Sequence, residues 1–296
     1  MDLSIIILNY NAKDFIIKCL QSIKRSVAGK YSWEIIVSDN ASTDGSIEEL
    51  KVQSEKFKII ENKNNLGFAK GNNVAIPGAK GRYILFLNPD TEVEKNTFVS
   101  MIKFMDENSE VGAATCQVNA PGGGLDDGAH RGFPTPWNAF CHFFGLENLF
   151  PKSRLFSGYT LGYMSRHNIH EIDALTGAFM IVRREAGEQV GWWDEDYFWY
   201  GEDLDFCYRL KKSNWKIMYV PTVSILHYRG ISSGVKKQTK SVSSATRGTR
   251  GRAALASVEA MRIFYKKHYV GQYPAPILWL VWTGIWILEK YRLLFW

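Results

Sequence analysis

The sequence predicts an α/β protein with a mostly parallel central sheet and helices on both of its faces. Short apolar runs at 3–8, 33–37, 57–60 and 82–87 lack the alternation of half-solvated strands, as strands buried on both faces do. Segments with helical spacing separate them, and strand–helix alternation places crossover helices over a parallel sheet. Acids and amides also stand just after apolar runs, in Ser38-Asp39-Asn40 and Asn88-Pro89-Asp90. The carboxyl ends of parallel strands are where α/β folds bind ligands.

The elements follow in order. After the strand at 3–8, residues 14–26 place Ile16, Cys19, Leu20 and Ile23 on one helical face. A strand at 33–37 leads to a helix at 44–54. Ser42, Thr43 or Asp44 can cap it, and Glu48 and Glu49 suit its first turns. The strand at 57–60 precedes a helix at 67–76, broken near Pro77-Gly78. The strand at 82–87 leads to an amphipathic helix at 93–108 and a strand at 111–118. Residues 120–166, punctuated by Pro121-Gly122-Gly123-Gly124 and Pro134-Thr135-Pro136, read as a long, partly irregular insertion. Regular structure resumes at 172–183, followed by a helix at 203–213, strands at 216–220 and 223–227, and a helix at 253–269. The domain reading is a nucleotide-binding catalytic unit at 1–232, a flexible basic loop at 233–252 and C-terminal helices at 253–296.

The chain has 296 residues, enough for a substantial core, and a formal charge of +6. The excess gathers in Lys236, Lys237, Lys240, Arg247, Arg250 and Arg252. This basic loop can close over an anionic ligand or attract anionic lipid headgroups, and a plain solvated linker is the alternative. Cys19, Cys116, Cys141 and Cys207 lack C-x-x-C spacing, which argues against a zinc site or disulfide scaffold and fits a reducing compartment. The N-terminus lacks the basic and long apolar regions of a signal peptide.

The densest chemistry lies in Phe198-Trp199-Tyr200-Gly201-Glu202-Asp203-Leu204-Asp205. Crowded carboxylates beside apolar rings have raised pKa values, as a general base requires. Asp203 is the first choice for that base, with Glu202 and Asp205 as alternatives that can instead cap a helix. Trp199 and Tyr200 can form an apolar shelf under a sugar or pack in the core. Asn9 and Tyr10 end the first strand, where they can stack on or hydrogen-bond a nucleobase. Gly67 and Lys70 sit in Leu66-Gly67-Phe68-Ala69-Lys70-Gly71-Asn72-Asn73, whose free N–H groups at a helix start favour an anion; an ordinary loop-to-helix junction has the same pattern. Asn88-Pro89-Asp90 is also a common turn.

In order, Leu8-Asn9-Tyr10-Asn11, Ser38-Asp39-Asn40-Ala41-Ser42-Thr43-Asp44-Gly45, the segment from Asn65 to Asn73, Phe86-Leu87-Asn88-Pro89-Asp90, Leu175-Thr176-Gly177-Ala178-Phe179-Met180, Gly201-Glu202-Asp203-Leu204-Asp205 and His227-Tyr228-Arg229-Gly230-Ile231-Ser232 resemble glycosyltransferase family 2, the inverting GT-A transferases. His130-Arg131-Gly132-Phe133-Pro134-Thr135 is similar to a feature of bacterial rhamnosyltransferases acting on lipid-linked glycans, which implies rhamnose as the donor sugar.

The resemblance implies a GT-A fold and a hexosyltransferase. A dTDP- or UDP-linked sugar is its donor, and a glycan or polyprenyl-linked glycan its acceptor. It implies that Asp39 and Asn40 grip the base, and that Asn88-Pro89-Asp90 stands where the family has Asp-x-Asp, with Asn88 replacing the first acid. Asp90 and His227 then hold Mg²⁺ or Mn²⁺, an imidazole favouring Mn²⁺. Ser232 lies near the phosphates, and Arg131 contacts the sugar or diphosphate. A sugar nucleotidyltransferase would carry a Gly-rich basic signature where Asn9-Tyr10-Asn11 stands. A non-catalytic carbohydrate- or lipid-binding protein on the same fold is the other rival.

The apolar run at 276–288 is shorter than the ~20 residues of a membrane span. Trp279, Trp282 and Trp286 fall on one helical stripe, which predicts a helix lying in the membrane surface. Packing on the domain, or against a second copy in a homodimer, is the alternative. Location at the cytoplasmic face of the membrane follows, with no nucleic-acid partner.

Overall fold

The computed structural model describes residues 1–26, 31–52, 57–229 and 247–295. Gly230, Ser232, Lys236, Lys237 and Lys240 lie outside the described residues, with most of the basic loop.

The chain alternates as its apolar runs predict. β1 (Leu3–Asn9), α1 (Lys13–Ser26), β2 (Trp33–Asp39), α2 (Ser46–Val52), β3 (Lys58–Glu61), α3 (Phe68–Asn73) and β4 (Tyr83–Leu87) build one half. There follow β5 (Thr91–Val93), α4 (Thr97–Glu107), β6 (Val111–Ala120), β7 (Gly124–Leu125), α5 (Pro136–Phe143), α6 (Leu146–Leu149) and β8 (His170–Glu171). β9 (Phe179–Arg183), α7 (Arg184–Val190), α8 (Glu202–Lys212), β10 (Lys216–His227), α9 (Arg247–His268) and α10 (Ala275–Phe295) complete it. Successive side chains of β1 enter opposite cores. Ile5 and Ile7 pack with α1 and α4, while Ile6 packs with Ile36, Phe86 and residues of α8.

The sheet is mixed, which corrects the mostly parallel expectation. Its main order is β3-β2-β1-β4-β9-β6-β10-β5, with β7 on β6 and β8 on β10. The β1–β2, β2–β3, β1–β4 and β6–β10 pairs are parallel, but β9 runs antiparallel to both β4 and β6. A strand buried on both faces is apolar throughout whichever way it runs, so Phe179–Arg183 carried no signal of its direction. The two reversals across β9 restore β6 and β10 to the direction of β4. His227, ending β10, therefore stands at the same edge as Leu87, ending β4.

The two strands expected at 216–220 and 223–227 form the single strand β10, with a register break between Val220 and Ser224. Pro221 has no N–H for the ladder, and a bulge accommodates it. α7 was not expected.

α9 and α10 form a third cluster in which Val258, Phe264, Tyr265, Leu278 and Ile285 are buried. One face of α10 thus packs on the domain, with Trp282 edge-on to Tyr265 at 6.5 Å. Trp279 and Trp286 remain 66% and 55% exposed. Among the described residues no helix is long and apolar enough to cross a membrane.

Candidate active site

A cavity of about 370 Å³ opens at the strand edge, lined by Tyr10, Asn40, Gly67, Asn88, Asp90, Arg131, Trp199, Glu202, Asp203 and His227 among others. These residues, singled out from sequence, therefore share one pocket with Tyr200. Because β9 runs backwards, the loop before it reaches the same edge, where Asn88 donates its N–H to Ala178 at 3.1 Å and Thr176 and Gly177 join the lining.

On one side, Asp90 and His227 face each other with Oδ1 and Nε2 3.3 Å apart. The Asn88 side-chain amide lies 3.4 Å from the same nitrogen. The other ring nitrogen, Nδ1, is bound to Asp126 Oδ2 at 2.8 Å, and Arg229 pairs with Asp126 Oδ1 at 3.0 Å. Burial opposes charge on His227, but Asp90 and Asp126 outweigh it and push the imidazole up to about 9. Burial likewise opposes the Asp126 charge, and the partners His227 and Arg229 bring its carboxyl down to about 2.

This arrangement fits a divalent cation. Asp90 Oδ1 and His227 Nε2 are a carboxylate oxygen and an imidazole nitrogen side by side on the cavity wall, a donor set that such an ion can take. Asp126 supplies the carboxylate that fixes a ligating histidine's ring from behind. Among the described residues no cluster of three or more His, Cys, Asp or Glu forms a metal site, so substrate oxygens would complete the coordination.

On the other side, α8 starts at Gly201, where Tyr200 and Gly201 both have positive φ, 71° and 85°. A Cβ on Gly201 would stand 2.8 Å from the Cβ of Ala260, so glycine alone fits the turn that aims Glu202 and Asp203 into the cavity. Arg131 Nη2 donates to Asp203 Oδ2 at 2.5 Å, and Arg131 is pinned by a backbone bridge to Ala174. The two side chains are only 14% and 13% exposed. Glu202 is buried with Oε2 lacking a partner; burial and then the Asp203 charge push its carboxyl up to about 8. The raised pKa expected of this stretch thus falls on Glu202. Asp205 is withdrawn from the cavity, fully buried and bound to His268 at 2.7 Å and Arg209 at 2.6 Å. Its partners hold its carboxyl below the usual range against the effect of burial.

The remaining candidate residues lie outside the cavity or serve it indirectly. Asn9 and Asp39 do not line the cavity. Asn9 Nδ2 donates to Asp39 Oδ1 at 2.7 Å, and Asp39 also accepts from the Ser42 N–H and hydroxyl. Together they brace the loop that carries Tyr10 and Asn40. Lys70 points to Glu195, 3.5 Å away on the protein surface. The N–H groups of Gly67 and Phe68 are taken by Asn65 Oδ1 and the Phe198 carbonyl. Gly67 is required because a Cβ there would meet the Phe198 carbonyl oxygen at 2.5 Å. Asp44 is a cap, accepting from the N–H groups of Lys13 and Ser46. His130 is structural: its Nε2 meets that of His170 at 2.7 Å, and burial takes its pKa down to about 4. Asp126 was missed, because it follows a glycine-rich stretch with no periodic pattern.

A profile of the family described as glycosyl transferase family 2 matches residues 4–172. The chain belongs to this family. It is 28% identical over 233 residues to rhamnosyltransferase WbbL of Escherichia coli K12, covering 76% of this chain and 82% of that protein. It is 26% identical over 220 residues to N-acetylglucosaminyl-diphospho-decaprenol L-rhamnosyltransferase of Mycobacterium tuberculosis, covering 71% of each. The fold matches that of GalNAc-T7 crystallised with UDP, GalNAc and Mn²⁺, with a TM-score of 0.62 and 16% identity over 90% of this chain and 48% of that one. It also matches the mannosyltransferase PcManGT of Pyrobaculum calidifontis with GDP-Man and Mn²⁺, with a TM-score of 0.58 and 18% identity over 98% and 69%. The chain is therefore a GT-A-like glycosyltransferase, of a family whose transferases typically invert the anomeric centre.

Proposed function

We propose that this family 2 transferase uses a divalent metal to move a sugar, rhamnose by its relatives' names, from a nucleoside-diphosphate donor to a glycan or lipid-linked glycan. The observation that carries the reading is the cavity's division into two poles, Asp90 with His227 and Asp203 with Arg131. Tyr10 and Asn40 flank the nucleotide end of the cavity, braced by Asn9 and Asp39. Asp90 and His227 would hold Mg²⁺ or Mn²⁺, which would supply charge neutralisation for the leaving diphosphate. Asp203 accepts the proton of the acceptor hydroxyl as that oxygen bonds to the anomeric carbon. The bond from this carbon to the diphosphate oxygen breaks on the opposite side, and one displacement inverts the centre. Arg131 donates to Asp203 Oδ2 and fixes the direction of the carboxylate. Glu202, protonated beside it, adds no second negative charge to the base. Trp199, stacked on Tyr200 at 5.9 Å, offers a flat apolar wall to a sugar ring.

The exposed Trp279 and Trp286 of α10, with Phe140 and Phe143 of α5 and Phe144 just after it, support peripheral attachment to a membrane, at its cytoplasmic face. Aromatic side chains favour that interface. Sedimentation with anionic vesicles tests this: Trp279→Ser with Trp286→Ser should halve the bound fraction or more, and unchanged binding would remove the assignment.

The transfer reading is tested with purified protein, Mn²⁺ and a panel of nucleotide sugars that includes dTDP-rhamnose. Slow release of nucleoside diphosphate without acceptor is expected. Release of diphosphate, or inertness towards every donor, would overturn it.

A further inference from the structure

The turn that aims Asp203 needs outside support. Tyr200 and Gly201 both have positive φ, and a tyrosine keeps that conformation only where its surroundings over-determine it. One support is α9. Ala260 packs so close to Gly201 that a Cβ on the glycine would stand 2.8 Å from its own. Ser257, one turn earlier, lines a second cavity of about 210 Å³ together with Tyr200, Gly201 and Ala260. The Ser257 hydroxyl donates to the Ala254 carbonyl at 2.9 Å. Arg292, in the last turn of α10, donates through Nη1 to both of these oxygens. It also stands near Tyr200: burial pulls its pKa below the ordinary arginine value, and Tyr200 acts against that. α10 has other attachments to α9, through buried Leu278 and Ile285 and the Arg262–Glu289 pair at 3.1 Å, so docking of the helix does not depend on Arg292.

We propose that Arg292 is a positioning residue for the transfer reaction: through Ser257 and Tyr200 it holds the turn at 200–201, and the turn directs Asp203 towards the acceptor oxygen. The inference rests on the transferase reading and adds to it a residue that does not line the first cavity. Among the described residues the hydrogen-bond partners of Arg292 are neutral oxygens. Burying a guanidinium among such partners costs stability that an apolar side chain of similar length would not, which points to a role other than stability. Misplacing a reacting group by about 1 Å costs up to ~10²-fold in rate, so a loosened turn slows turnover while nucleotide binding at the opposite pole stays.

The test begins without substrate. The Asp205 N–H bonds the Gly201 carbonyl at 2.9 Å, so hydrogen exchange at 201–205 in the full chain reports how firmly the turn is held. Arg292→Met should speed that exchange about tenfold and slow release of dTDP from dTDP-rhamnose about tenfold. Its Kd for dTDP with Mn²⁺ should stay within about twofold of wild type, and its Tm within about 2 °C. Arg292→Lys, which keeps a cationic donor at the site, should restore most of both losses. Ser257→Ala, which removes only the hydroxyl, should also speed exchange. Wild-type exchange in both Arg292→Met and Ser257→Ala, or an Arg292→Lys variant no better than Arg292→Met, overturns the proposal. Failure of the wild type to bind dTDP with Mn²⁺ would count against the transferase reading instead, and the exchange comparison would still decide whether Arg292 holds the turn.

Discussion

Arg131 donates to Asp203 within the candidate active site, at 2.5 Å and with both side chains largely buried. The pair sets the direction of the proposed base before any substrate arrives. A guanidinium held against a carboxylate directs its free lone pairs. A carboxamide in its place retains the shape and cannot take a proton. Asp203→Asn should lower kcat by about 10²–10⁴-fold and leave the Kd for nucleoside diphosphate within twofold. Steady-state kinetics with calorimetry separates the two effects.

Asp126 acts through His227. Its hydrogen bond to Nδ1 directs Nε2 towards Asp90, and such outer carboxylates are worth about 10–100-fold in metal affinity. Asp126→Asn should weaken Mn²⁺ binding by that amount, read from the spectrum of free Mn²⁺ by electron paramagnetic resonance. Affinity unchanged from wild type would make Asp126 a merely structural partner.

Glu202 makes stability depend on pH. Its carboxyl, pushed up to about 8 by burial and then by Asp203, exceeds its ordinary value of 4.5. The folded state therefore binds a proton that the unfolded state releases between those values, so stability is greatest below the unfolded value and falls as pH rises through 8. Glu202→Gln should match the wild type in Tm near pH 5 and exceed it at pH 9. Parallel Tm curves for the two proteins would contradict the assignment.

His268 ties α9 to the start of the catalytic helix through Asp205, at 2.7 Å in the interior. Removing the imidazole leaves a buried carboxylate oxygen unsatisfied, at a cost of about 1–3 kcal/mol. His268→Ala should lower Tm by a few degrees in calorimetry, and a Tm equal to wild type would show that the tie carries no stability.

The α/β class was legible because strands buried on both faces leave unbroken apolar runs, and their ends carried most of the pocket residues. Direction was not legible, and with it the placement of β9, since the burial that makes Phe179–Arg183 apolar is the same for either orientation. Strand-end position also failed to separate residues facing the cavity from those turned inward. Asn9 and Asp39 lie at the correct edge but bind each other, and Asp205 shares a helical turn with Asp203 yet belongs to the core. Asp126 lay in an aperiodic insertion, and its role depends on a partner 101 positions away, a relation that only the folded chain displays.

In the proposed mechanism Asp90 and His227 bind the donor diphosphate through a metal. Calorimetric titration of dTDP and UDP, with Mn²⁺ and then with a chelator, tests it most directly in the wild type and in Asp90→Ala and His227→Ala. Binding should need Mn²⁺ in the wild type and weaken at least tenfold in each variant. Equal nucleotide affinity with and without metal, or in all three proteins, would contradict it.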